Sequence, residues 1–150
     1  ALGVLPWIAC IDAFQHWMYT HPGHSRNERS HAWKELLQQY TSPVVDWSGL
    51  DEWLNYQWQR QLHLFEMPFY YIEYGFAQIG ALGVWRNCTS DPVRGLAAYR
   101  EALALGNTVS INDVYHQAGV PFEANSTYVE ELANWTLNKM QHYENHLHRT

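Results

Sequence analysis

The sequence has few basic residues. Among its 150 residues, 9 are Lys or Arg and 15 are Asp or Glu, which gives a formal net charge of −6 and a pI of about 5.8. Lys and Arg never form a run. A surface that binds nucleic acid needs clustered positive charge, so we expect neither DNA nor RNA as a partner.

Cysteine is scarce as well. Cys10 and Cys88 are the only two, they lie far apart, and neither belongs to a C-x-x-C pair. This usage disfavours a disulfide-stapled fold and a cysteine zinc site, and it fits the reducing cytoplasm.

A hydrophobic run of membrane-spanning length is also missing. The opening segment "ALGVLPWIAC" is apolar, but no basic residue precedes it, and Asp12, Gln15 and His16 interrupt the apolar run soon after it. We therefore expect neither a signal peptide nor a membrane anchor.

Aromatic residues, in contrast, are abundant. They make up 15% of the chain, with 8 Trp and 10 Tyr. Because a buried Trp or Tyr needs a partner for its N–H or O–H group, we expect some of these rings to line a solvated site.

The pattern of helix signals predicts an all-α fold of six or seven helices. No useful β-alternation occurs, whereas capping residues, prolines and glycines punctuate apolar stripes at helical spacing. The predicted helices span about 2–20, 26–40 and 48–65, followed by helices that start at Pro68, Pro92, Ser110 and about Thr127. The third of these is expected to begin with a capping box formed by Ser48 and Asp51.

Two histidines near the C-terminus have the spacing of metal ligands. His142 and His146 are four residues apart in "HYENHLH", and His148 lies two positions further on. A zinc peptidase motif needs H-E-x-x-H, but Glu144 is in the wrong register and points away from the histidine face. We interpret these histidines as solvated terminal residues, with an adventitious metal site as the alternative, and we assign no metal ligand in the chain.

The segment "HLFEMPFYYIEYG" combines one histidine with three tyrosines. On a helix that starts at Pro68, Tyr70 and Tyr74 would share a face with Tyr71 on the flank, and His63 could reach the same space across the Met67–Pro68 corner. Converging O–H and N–H donors suit an oxyanion that develops during a reaction. A tyrosine-rich interhelical core remains the alternative from the residues alone.

Several segments of the chain resemble one known family. The stretches "DAFQHWMYTHP", "DWSGL", "WQRQLHLFEMPFYYIEYGFAQIGALGVW" and "GLAAYREALALG" are similar to the C-terminal end of the M3 zinc metallopeptidases, in the oligoendopeptidase F branch. The resemblance covers roughly residues 4–135. It implies that residues 1–150 are the C-terminal part of a larger helical catalytic domain.

The resemblance also implies that the zinc ligands and the residues of this chain lie in different parts of that domain. The family's H-E-x-x-H motif is absent from this sequence; zinc would then be bound upstream, and this chain alone would be inactive. By resemblance, His63, Tyr70 and Tyr74 are catalytic donors, while Tyr71, together with His63, binds an oligopeptide substrate.

Three further expectations concern the location and the partners of the chain. We expect a cytoplasmic location and packing against the rest of the parent domain. Apolar faces left exposed without that domain could lead to self-association. The alternative to a peptidase segment is a non-catalytic helical module that binds peptides or a protein.

Overall fold

The computed structural model describes residues 2–147, and every regular element in that range is helical. This confirms the all-α prediction. Eight α-helices lie in the described part of the chain, because the third predicted helix is divided: α1 Leu5–Thr20, α2 Arg26–Tyr40, α3 Asp51–Tyr56, α4 His63–Glu66, α5 Ile72–Ser90, α6 Pro92–Leu105, α7 Ile111–Gln117 and α8 Ser126–Leu147. Short 3-10 helices span Leu2–Val4 and Gln57–Arg60.

Local capping explains several of these helix starts. The side chain of Ser25 accepts the backbone N–H of Glu28, and the backbone N–H of Ser25 donates to Glu28 Oε2 over 2.7 Å, which completes a capping box before α2. Asp91 accepts the N–H of Arg94 at the start of α6. These helices begin where the sequence signals place them.

The prediction for the third helix was wrong in two respects. Ser48 does not cap it: the N–H of Ser48 donates to Asp46 Oδ1 over 2.9 Å, and α3 begins at Asp51 without a side-chain cap. The helix also ends at Tyr56 and gives way to the 3-10 turn that contains Trp58. The indole of Trp58 is buried and donates to Asn55 O, so tertiary packing overrides a sequence that has no helix breaker here.

The described residues up to Gly75 form one compact unit, called unit 1 below. In it α1 and α2 pack together, and α3, α4 and the second 3-10 helix add to the same apolar core. The core is dominated by large rings: Phe14 packs within 5.1 Å of Trp33 and 5.5 Å of Trp58, measured between ring centroids.

Residues from Phe76 onward form a second compact unit, called unit 2. Small residues allow its helices to approach closely. A Cβ atom on Gly80 would lie 2.8 Å from the ring of Tyr115, and one on Gly95 would lie 2.7 Å from the backbone nitrogen of Cys88. The indole rings of Trp85 and Trp135 meet edge to face, 4.6 Å apart.

The two cysteines are free thiols. Cys10 lies in the core of unit 1, and burial raises the pKa of its thiol to about 12. It is therefore un-ionised at neutral pH and chemically inert.

The described helices also bear on the expectation about membranes. Within residues 2–147, none of them is both long and apolar enough to cross a bilayer.

Candidate functional site

A tight turn replaces the predicted helix start at Pro68. The N–H of Tyr70 donates to the carbonyl of Met67 over 3.1 Å, and Phe69 has a φ of 60°. Proline followed by a residue with positive φ is the pattern of a type II turn. Helix α5 consequently begins only at Ile72, so Tyr70 and Tyr71 lie outside it and Tyr74 lies in its first turn.

The backbone of this turn is strained at Phe69. Positive φ is rare for a bulky residue and costs on the order of 1–3 kcal/mol. Two rings of α1 pack on the Phe69 side chain and stabilise it there: His16 at 4.9 Å and Tyr19 at 5.0 Å between centroids. Helix α1 thus fixes the direction in which the chain presents Tyr70.

The turn gathers four rings into what we call the His63 ring cluster, made of His63, Tyr70, Tyr71 and Tyr74. The imidazole lies parallel to Tyr70 at 6.2 Å, tilted against Tyr71 at 4.9 Å, and edge-on to Tyr74 at 5.6 Å. Tyr70 and Tyr74 are themselves 5.8 Å apart. The structure therefore brings all four residues together by a turn, whereas the sequence predicted a helix starting at Pro68 that would align the tyrosines, with His63 reaching them across the Met67–Pro68 corner.

Two tyrosines of the cluster are exposed, whereas the third is only partly exposed. Tyr70 and Tyr74 are 44% and 47% exposed, while Tyr71 is half-buried and packs against the apolar core of unit 1. Tyr74 Oη lies 3.5 Å from His63 Nε2, which is long for a hydrogen bond between these atoms. Both groups therefore retain the capacity to bind an oxygen atom of a ligand.

A pair of polar contacts lies on the other side of the imidazole. The side-chain amide of Gln61 is 2.7 Å from His63 Nδ1, and Gln61 Oε1 accepts the indole N–H of Trp7 over 3.1 Å. The sequence analysis missed both residues. Gln61 carries no local signal in "RQLH", and its contact with Trp7 depends on tertiary structure.

The terminal histidines show no metal geometry. His146 Nδ1 lies 2.8 Å from the carbonyl oxygen of His142, an ordinary contact within α8, and both side chains are exposed. His148 lies outside the described residues. Within residues 2–147, no three or more His, Cys, Asp or Glu side chains are grouped so that they could hold a metal ion.

This chain is similar to known proteins over most of its length. The family model described as "Peptidase family M3" matches residues 2–134. A solved X-ray structure, provisionally assigned as oligoendopeptidase F, is similar to this chain with a TM-score of 0.74 and 29% sequence identity, over 88% of this chain. The matched region is 24% of that protein's chain, so this chain corresponds to about a quarter of its length. The comparison with curated proteins gave no significant match.

Proposed function

Because this chain belongs to peptidase family M3, we propose that it is a late part of the catalytic domain of an oligoendopeptidase F-like zinc metallopeptidase that hydrolyses short peptides. The observation that supports this most directly is the His63 ring cluster. It presents an imidazole nitrogen and phenolic hydroxyls at a solvent-exposed surface, with His63 Nε2 and Tyr74 Oη 3.5 Å apart.

The proposed role of the cluster is to hydrogen-bond the substrate carbonyl. His63, Tyr70 and Tyr74 would donate to the oxygen as it becomes negatively charged, and Tyr71, with His63, would contact the bound peptide. Each such donor is worth about 3 kcal/mol of transition-state stabilisation when it is preorganised. The strained turn at Phe69 and its packing on α1 support this role, because they hold Tyr70 in place before a substrate arrives.

Zinc does not fit residues 2–147, the part of the chain that the structure describes. The described part offers no group of ligands, and H-E-x-x-H does not occur in the sequence. We propose that the metal is held by upstream residues of a longer polypeptide, where zinc would supply a Lewis acid and an activated water. This chain by itself would then be inactive.

The surface of the chain agrees with such a larger assembly. Val44, Trp53 and Val93 are 86%, 79% and 83% exposed, so these apolar side chains are available to pack against another part of the protein. We propose that the rest of the catalytic domain packs on faces of this kind, and that the isolated chain self-associates through them. A cytoplasmic location is part of the same proposal and rests on the family and the cysteine usage.

The test of the site is Tyr74→Phe in the longer, zinc-containing enzyme. Loss of one hydroxyl donor should lower kcat by two to three decades, with zinc content unchanged, since no metal ligand is touched. Tyr56→Phe is the matched control, because Tyr56 is 56% exposed in the same unit and lies outside the cluster. An unchanged kcat in Tyr74→Phe, or loss of zinc or of folding, would show that the ring is not a catalytic donor.

The coding sequence distinguishes the peptidase from the alternative, a non-catalytic helical module that binds peptides or a protein. The missing ligand set in residues 2–147 is what keeps this alternative open. An H-E-x-x-H motif with a downstream glutamate in the upstream reading frame would support the peptidase. A start codon directly before Ala1 would leave the binding module.

A further inference from the structure

The orientation of the Gln61 side chain is determined by Trp7. The indole Nε1–H of Trp7 is a donor only, and it lies 3.1 Å from Gln61 Oε1. If the amide were reversed, its NH2 group would face the indole N–H, and two donors would oppose each other. The amide oxygen must therefore point to Trp7, and the NH2 group to His63.

This orientation determines which imidazole nitrogen carries the proton. Gln61 Nε2 lies 2.7 Å from His63 Nδ1, and an amide nitrogen can only donate. His63 Nδ1 must then accept, so it has no hydrogen. In the neutral ring the proton is on Nε2, which is the nitrogen that faces Tyr74 Oη.

We propose that Gln61 is a positioning residue that holds neutral His63 as the Nε2–H tautomer, with Trp7 as its anchor. The use made of that proton rests on the proposed function: an Nε2–H group donates to a developing oxyanion, whereas the other tautomer would present a lone pair and repel it. Gln61 acts only through the imidazole.

The anchor is itself held firmly. The guanidinium of Arg60 lies over the indole of Trp7 at 4.6 Å, and the same indole meets the fully buried Trp33 edge to face at 5.8 Å. These contacts fix the direction of the Trp7 N–H, and thereby the amide and the imidazole. The arrangement thus links the core of unit 1 to the exposed His63 ring cluster.

The direct test is the nitrogen-15 NMR spectrum of His63 in the 150-residue chain, recorded at a pH where histidine rings are neutral. We expect Nε2 to be protonated and Nδ1 to be unprotonated. In Gln61→Glu the carboxylate can only accept, so the proton should move to Nδ1. Trp7→Phe should give a mixture of both tautomers, because the amide is then free to turn.

The matched control is Gln59→Glu, the same change of charge at an exposed glutamine of the 3-10 helix that ends just before Gln61. It should leave the His63 signals as they are. A protonated Nδ1 in the unchanged chain, or identical His63 tautomers in the wild type and a folded Gln61→Glu variant, would overturn the proposal. If that variant does not fold, Trp7→Phe decides, because a His63 tautomer unchanged from the wild type in that variant would equally overturn the proposal.

Kinetics then separate this inference from the proposed function. In the longer enzyme, Gln61→Glu should lower kcat on the order of 100-fold with little change in KM, because a donor has become an acceptor. If the tautomer reverses while kcat is unchanged, Gln61 does position the ring, and it is the oxyanion role of His63 that fails.

Discussion

The two units of this chain build their interiors in different ways. Unit 1 holds six of the eight tryptophans, and its core joins aliphatic side chains to large rings such as Phe14 and Trp33, which are fully buried and meet edge to face. Unit 2 instead brings helices together through glycine, and the backbone of α5 approaches Gly95 of α6. Unit 1 thus relies mainly on bulky side chains, whereas unit 2 combines ring contacts with helices that approach closely at glycines.

Packing among large rings supplies polar groups that can serve a site. A ring can direct a polar group, as the indole N–H of Trp7 is directed at Gln61, whereas the close approach at Gly95 is to backbone atoms of α5. All four members of the His63 ring cluster lie in unit 1. The proposed site therefore belongs to unit 1.

The largest expected effect concerns the core of unit 1. Trp33 has the largest fully buried side chain among the described residues. Trp33→Ala should lower the free energy of unfolding by about 3–5 kcal/mol, because it leaves a cavity in the ring core. Trp53→Ala removes the same side chain from a position that is 79% exposed, and it should change stability by less than about 0.5 kcal/mol. Equal losses in urea unfolding would show that unit 1 does not depend on its buried rings.

The second test addresses close packing in unit 2. Gly95→Ala places a Cβ atom 2.7 Å from the backbone nitrogen of Cys88, which cannot move aside as a flexible side chain could. The expected loss of stability is about 1–3 kcal/mol. Gly23→Ala is the control, because a Cβ atom there would meet nothing within 4 Å. A neutral Gly95→Ala in thermal unfolding would contradict the role assigned to glycine in this unit.

The sequence was sufficient for those parts of the fold that depend on neighbours along the chain. The capping box at Ser25 and the cap at Asp91 involve residues three positions apart, and both helices begin where predicted. The break after Tyr56 could not be predicted in this way, because no Gly or Pro marks it. It depends on where the indole of Trp58 is buried.

The candidate site, too, could be predicted from the sequence only in part. The segment "HLFEMPFYYIEYG" indicated which four rings lie together. It did not indicate the backbone conformation that brings them together. Pro68 is compatible with a first helical turn and with the second position of a β-turn, and only the rings of α1 packed on Phe69 select the turn. Gln61 was missed because its significance lies in Trp7, which is 54 positions away along the chain.

The smallest expected effect concerns the cap of α2 in unit 1, which differs from the cap of α7 in unit 2. In unit 1, Ser25 and Glu28 cap each other through backbone and side chain, whereas in unit 2 the side chain of Ser110 accepts the N–H of Asp113. Ser25→Ala should cost about 1 kcal/mol. Ser30→Ala, within α2, is the control and should be close to neutral.

The capping box of Ser25 and Glu28 also predicts that the stability of the fold depends on pH. The backbone N–H of Ser25, and then its hydroxyl, lower the pKa of Glu28 below its ordinary value. Glu28 protonates at a higher pH in the unfolded chain than in the folded one. The stabilisation that ionised Glu28 gives the folded chain is therefore fully present at neutral pH. It is lost as the pH falls through the ordinary carboxyl range to the lowered pKa. In Ser25→Ala the hydroxyl is gone while the backbone N–H remains, so the pKa of Glu28, followed by NMR, should rise only part of the way. A value equal to that of the wild type would show that the hydroxyl contributes nothing to the box.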